Sequence, residues 1–136
     1  MKTRTVAIEP RESREFCGTE GDQKYAGVHL LIELWTSLYL TESNRIRDII
    51  IKAVNACGAT ILGIDLHVFS PNGGVSGVAV LQESHLSIHT WPEYEYAAID
   101  LFVCGTIDPY LAVPVLEAEF RPSRIDVREI KRGILP

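Results

Sequence analysis

The chain lacks any run approaching the roughly 20 consecutive apolar residues that a membrane helix requires. Its first 25 residues are polar, with no apolar middle region, so no secretory signal is expected. These absences predict a cytoplasmic protein with no membrane partner. Cysteine is scarce: Cys17, Cys57 and Cys104 are an odd count without metal-type spacing. They predict free thiols in a reducing compartment, and neither a disulfide framework nor a zinc ribbon. Basic charge is short as well, with 13 Lys and Arg against 18 Asp and Glu. Lys2, Arg4, Arg11 and Arg14 are interleaved with acids and form no stripe, which argues against a nucleic-acid partner. The glycines of "PNGGVSG" have neither the lysine nor the following helix of a phosphate loop. Ser84 follows Glu83, so the Gly-x-Ser of a nucleophile elbow is missing too.

What is present is an ordinary globular balance. Hydrophobic residues make up 46% of 136 residues, enough for the core of one domain. Residues 1–25 are charged and weakly patterned and read as a flexible extension; residues 26–136 read as the domain. "GVHLLIELW" predicts a strand. "SNRIRDIIIKAVNACG" predicts a helix, because Ile46, Ile49, Ile50, Ala53, Val54 and Cys57 recur at helical spacing. Ser43 is placed to cap its start and Gly58 to end it. "ATILGIDLHVF", "GVSGVAVLQ", "SHLSIHTW" and "YAAIDLFVCG" predict four more strands, with "PNGG" as a turn. "DPYLAVPVLEAEF" resembles a helix capped by Asp108, although Pro114 falls inside it. "SRIDVREIKRG" predicts a last strand at an edge. The order β-α-β-β-β-β-α-β predicts an α+β sandwich, a mostly antiparallel sheet with helices packed on one face.

Alternate residues of a strand point to opposite faces. Leu86 and Ile88 oppose His85, Ser87, His89 and Trp91; Ala97, Ile99, Leu101 and Val103 oppose Ala98, Asp100, Phe102 and Cys104; Ile64, Leu66 and Val68 oppose Asp65, His67 and Phe69. Three strands thus each carry one apolar face and one face mixing aromatics with reactive groups. The apolar faces are expected to meet the helices. The mixed faces, if shared, form a site, meet a partner subunit, or do both; a solvated polar face is the simpler alternative. His89 offers acid–base chemistry, and Cys104 at a strand end offers a thiol. A Ser84, His89 and Asp100 triad has no oxyanion-hole signature beside it. A zinc site from His85, His89 and Cys104 fails on reach, because positions i and i+4 of a strand stand roughly 13 Å apart. No metal is expected.

The segment "ESHLSIHTWPEYEYAAIDLFVCG", with "PNGGVSG" before it, resembles the prokaryotic S-adenosylmethionine decarboxylase family of pyruvoyl enzymes, over about Gly27 to Gly133. The resemblance implies self-cleavage between Glu83 and Ser84 into a β chain, 1–83, and an α chain, 84–136. The Ser84 hydroxyl attacks the preceding carbonyl and the peptide becomes an ester. Elimination frees the β chain and leaves dehydroalanine, and loss of ammonia leaves a pyruvoyl group. That ketone takes the substrate amine as a Schiff base and acts as the electron sink that protein side chains do not provide. By the same resemblance His89 and Ser76 assist processing, and Cys104 returns a proton to Cα after carbon dioxide leaves. Phe69 stacks on adenine, Glu93 and Glu33 are site carboxylates, and His29 is near the other adenine-facing position. The implied assembly is a homodimer of processed protomers with sheets face to face, covering the mixed face and placing the sites near the interface. The implied substrate is S-adenosylmethionine, giving the aminopropyl donor for spermidine. Two alternatives stay open: a relative that decarboxylates arginine or ornithine with the same group, and an unprocessed, non-catalytic relative.

Overall fold

A computed structural model describes residues 18–20, 23–104 and 107–135. The elements are β1 (Gly18–Glu20), β2 (Gln23–Trp35), α1 (Ser43–Cys57), β3 (Ile61–Val68), β4 (Val75–Leu81), β5 (Ser84–Trp91), β6 (Tyr96–Val103), α2 (Ala112–Phe120) and β7 (Arg124–Leu135). All pairings are antiparallel. The long strands run β7-β2-β6-β5-β4-β3, and short β1 pairs with the start of β2. β7 is an edge strand, as its polar alternation predicts.

The expected boundary at residue 25 falls inside β2. That strand already pairs with β1 and β7 at Tyr25, whose ring is 4% exposed. Lys131 lies over the Tyr25 ring, 5.8 Å from its centroid. The pairing with β7 comes from distant sequence, so no local apolar pattern announces it. The rest of the expected extension, residues 1–17, and Cys17 with it, lies outside the described residues.

The core forms where the parity argument places it on β5 and β6, but on β3, an edge strand, Ile64 and Leu66 are only partly buried and Val68, expected to meet the helices, is 47% exposed. Leu30, Ile32, Leu34, Leu86, Ile88, Ala97, Ile99, Leu101 and Val103 are buried in one cluster with the apolar stripes of both helices. α1 contributes the six residues expected of it, from Ile46 to Cys57; α2 contributes Ala112, Val113, Leu116 and Phe120. Each large aliphatic removed from water here stabilises the fold by about 1.5–3 kcal/mol. Gly58 ends α1 with φ 80°, a conformation glycine takes without a Cβ clash. Ser43 is the first helical residue and makes no cap; Glu42 stands at the N-cap without a side-chain hydrogen bond. Asp108 does cap, accepting from the Tyr110 N–H at 3.1 Å, but it opens a 3-10 turn over Pro109–Leu111. α2 starts only at Ala112, so Pro114 sits in its first turn, where a missing N–H breaks no intrahelical bond.

Candidate active site

The opposite face of the sheet carries the mixed residues in register. One row runs His67, Ser76, His89, Ala98, Glu33 and Asp126 across all six long strands. A second row brings His85, Phe102 and His29 side by side on β5, β6 and β2. Phe69 and Val80 are about half exposed, at 48% and 49%, and Trp91 is exposed beside them. The face therefore presents apolar surface that a lone chain leaves in water.

At one end of the face β4 turns into β5 through Gln82 and Glu83. Glu83 adopts φ 91°, a backbone region that residues with a Cβ rarely occupy. The turn is held on one side by Gln82 N–H donating to Thr60 O at 2.9 Å and on the other by Glu83 N–H donating to Leu81 O at 3.1 Å. Ser84 Oγ is buried and has no hydrogen-bond partner among the described residues. Cys104, just past the end of β6, places Sγ 3.7 Å from the Glu83 carbonyl oxygen and 3.8 Å from its carboxylate. Glu83, Ser84 and Cys104 are thus brought together, although 21 residues separate Glu83 and Cys104 in sequence.

Beside this turn the Nε2 atoms of His29 and His85 converge on one oxygen of Asp100, at 2.5 and 3.2 Å. Ser87 Oγ donates to the other oxygen. Burial raises the Asp100 pKa, but the hydrogen bonds from Ser87, His29 and His85 outweigh it and hold the carboxyl below its usual range. The two imidazoles meet edge-to-face at 5.9 Å, and the Phe102 ring packs against both, 5.4 Å from His29 and 6.0 Å from His85. Gly27 allows this: a Cβ there would come within 2.9 Å of the Phe102 ring and 2.6 Å of Val103 O.

The other end of the face holds Ser76 and His89, paired across β4 and β5 with Oγ and Nδ1 hydrogen-bonded at 2.9 Å. His67 stands next in the row, and its ring meets Phe69 edge-on at 4.5 Å. Asn72, in the β3–β4 turn, donates to Glu93 at 2.7 Å and accepts from Gly74 N–H at 2.9 Å, which ties the Phe69 loop to the segment after β5. Glu33 accepts from the Tyr96 hydroxyl at 2.8 Å. Burial, with the Glu33 hydrogen bond and charge added to it, pushes the Tyr96 phenol up to about 12. Trp91 and Trp35 flank Tyr96 at 5.4 and 5.3 Å.

The S-adenosylmethionine decarboxylase family model matches residues 28–133, nearly all of the described sheet and both helices. The chain belongs to the S-adenosylmethionine decarboxylase family. The S-adenosylmethionine decarboxylase proenzyme of Methanococcus maripaludis (strain C5) is 47% identical over 115 residues, covering 82% of this chain and 93% of that one. The proenzyme of Thermomicrobium roseum is 43% identical over 113 residues, covering 82% and 97%. Among solved structures, the adenosylmethionine decarboxylase of Aquifex aeolicus superposes with a TM-score of 0.72 at 33% identity, covering 81% of this chain and 92% of that one. The α+β sandwich is thus the fold this family uses.

Within this family frame, the residues singled out from sequence fall into two groups and not one. Glu83, Ser84, Cys104 and His29 lie at one end; Ser76, His89, Phe69, Glu93 and Glu33 lie towards the other. A hydrolytic triad is not assembled: Ser84 Oγ has no partner, and Asp100 binds His29 and His85, not His89. His85, which the family motif leaves as a mere neighbour of Ser84, is engaged with Asp100. Strand parity puts these two residues on one face but cannot supply the register that brings them into contact. No helix among the described residues is long and apolar enough to cross a membrane.

Proposed function

We infer that this chain decarboxylates S-adenosylmethionine, after cutting itself between Glu83 and Ser84 into fragments 1–83 and 84–136. The observation that carries the reading is the turn at that bond. Among the described residues its buried serine hydroxyl has no hydrogen-bond partner, which leaves it available to attack the adjacent carbonyl. The positive φ of Glu83 costs about 1–3 kcal/mol, a strain that cleavage of the following bond releases. These features fit a pyruvoyl group derived from Ser84. When formed, that group supplies the electron sink that decarboxylation of an amino acid needs. Cys104 holds its sulfur against the carbonyl of the bond to be cut, the position from which a thiol reaches the reacting carbon. Phe69, exposed and backed by His67, suits adenine or a sulfonium cation, and Glu93 and Glu33 add carboxylates for a cationic substrate. His29, hydrogen-bonded to Asp100, is the remaining candidate for an adenine-facing residue. The arginine and ornithine alternatives are not favoured, since the relatives above are named for S-adenosylmethionine.

One chain does not complete this site. Ser84 and His89 lie on the same strand five residues apart, which is about 16 Å at the rise of a β-strand. Ser76, hydrogen-bonded to His89, shares that distance. If His89 and Ser76 assist processing, they act on the Ser84 of a second copy. A homodimer with the mixed faces opposed, one sheet reversed by a two-fold axis, brings each His89 end to the partner's Ser84 end. The same packing removes Val80, Trp91 and Ile130 from water.

The test is direct. Purified wild type is expected as the two fragments, with a blocked N-terminus on 84–136, and to release carbon dioxide from S-adenosylmethionine but not from arginine or ornithine. Ser84→Ala is expected to abolish both cleavage and turnover. A Ser84→Ala chain that keeps its turnover would sink the reading.

A further inference from the structure

The imidazole pair on the sheet face has a geometry that its own hydrogen bonds do not require. A carboxylate has two oxygens and about four acceptor directions, yet both Nε2 atoms crowd onto Asp100 Oδ2 while Oδ1 is taken by Ser87. The three candidate ligand atoms, one from each of His29, His85 and Asp100, all lie within 4.8 Å of one another. Each comes from a different strand, β2, β5 and β6, in the middle of a continuous sheet, so the backbone fixes their spacing. The side chains are 15%, 39% and 22% exposed, enough to be reached from outside while held in place.

We propose that His29, His85 and Asp100 form a binding site for a divalent transition metal of the zinc, cobalt or nickel class. Two imidazole nitrogens and one carboxylate oxygen are the donor set such ions take, whereas magnesium and calcium prefer all-oxygen shells. Three protein ligands on one side leave open positions outward, for water or for a group from a facing copy. Ser87 plays the supporting part, fixing the carboxylate through its second oxygen. The Phe102 ring packs against both imidazoles and limits their rotation. This site is distinct from the zinc reading that sequence spacing excludes, since it shares only His85 with it and needs neither His89 nor Cys104.

The experiment is a cobalt(II) titration of untagged, chelator-treated wild-type protein, followed by visible ligand-field absorption. It needs no turnover, so its outcome is separate from that of the decarboxylase reading. One saturable cobalt per chain is expected. His67→Ala, on the same face but outside the cluster, is expected to leave the spectrum unchanged. Ser87→Ala is expected to weaken binding about 10–100-fold, and His85→Ala, a change at a partly exposed position, to abolish the signal. Should His85→Ala fold poorly, the Ser87→Ala shift still decides the matter. Absence of saturable binding in wild type, or a signal that survives His85→Ala and Ser87→Ala alike, overturns the proposal.

Discussion

The two described cysteines make opposite predictions for a thiol reagent. Cys57 lies on the buried stripe of α1, with Sγ 3.9 Å from the Pro109 carbonyl. Burial, with the Asp108 charge adding to it, pushes this thiol from 9.0 up to about 12. Only the thiolate is alkylated, so three pH units cost about a thousandfold in rate against an ordinary thiol at pH 8. Steric exclusion adds to that. Cys104, half-buried at the end of β6, faces the Glu83 carbonyl across an accessible turn. The assay is iodoacetamide labelling at pH 8 in a Cys17→Ser background, with peptide mapping over time and a short thiol peptide as reference. Cys57 is expected to react about a thousandfold more slowly than the reference. Cys104 is expected to react first, with turnover falling in step. Modification of Cys57 within tenfold of the reference refutes the burial argument. Full modification of Cys104 with turnover intact removes the thiol from the site.

Three further outcomes test the packing and the charges. Phe120→Ala empties a fully buried position on α2 and is expected to lower unfolding free energy by about 3–5 kcal/mol in chemical denaturation; a loss under about 1 kcal/mol would contradict the packing. Tyr96 has its pKa raised from 10.0 to about 12, so its contribution is present below pH 10 and lost as pH rises towards 12. Wild type is expected to lose stability over that range that Tyr96→Phe does not, and identical pH profiles would remove the Glu33 contact. Asp100 has its pKa lowered from 3.8, so its contribution is present above that pH and lost as pH falls through the folded value. Acid unfolding is expected to cost wild type more than Asp100→Asn, and equal losses would count against the imidazole cluster.

The layers and faces were legible in sequence because they rest on local periodicity. Ile46 to Cys57 at helical spacing, and Leu86 and Ile88 against His85, Ser87 and His89, need only one segment each to be read. The family resemblance of the segment 83–105 also pointed to Glu83, Ser84 and Cys104, which the fold brings together at the β4–β5 turn and the end of β6. What was not legible depends on register between distant segments. His29 and Asp100 are 71 residues apart, and no spacing rule links them before β2 is paired with β6. The pairing of Tyr25 with Ile134 on β7 fails to announce itself for the same reason. Pro114 looked wrong only because the helix was started three residues early, at the 3-10 turn that Asp108 caps. The separation of His89 from Ser84 is different. The strand rise already contains it, and the structure makes it matter by showing β5 as one unbroken strand.

That separation is the central claim, and a complementation experiment tests it most directly. Two chains are co-expressed: Ser84→Ala, which keeps His89 but has no serine to convert, and His89→Ala, which keeps Ser84. Each alone is expected to remain uncut. Together, through mixed dimers, the His89→Ala chain is expected to be cleaved into 1–83 and 84–136 and carbon dioxide release to return, because the Ser84→Ala partner lends its His89. If the His89→Ala chain stays intact in mixed dimers that demonstrably form, the site is not shared between two copies.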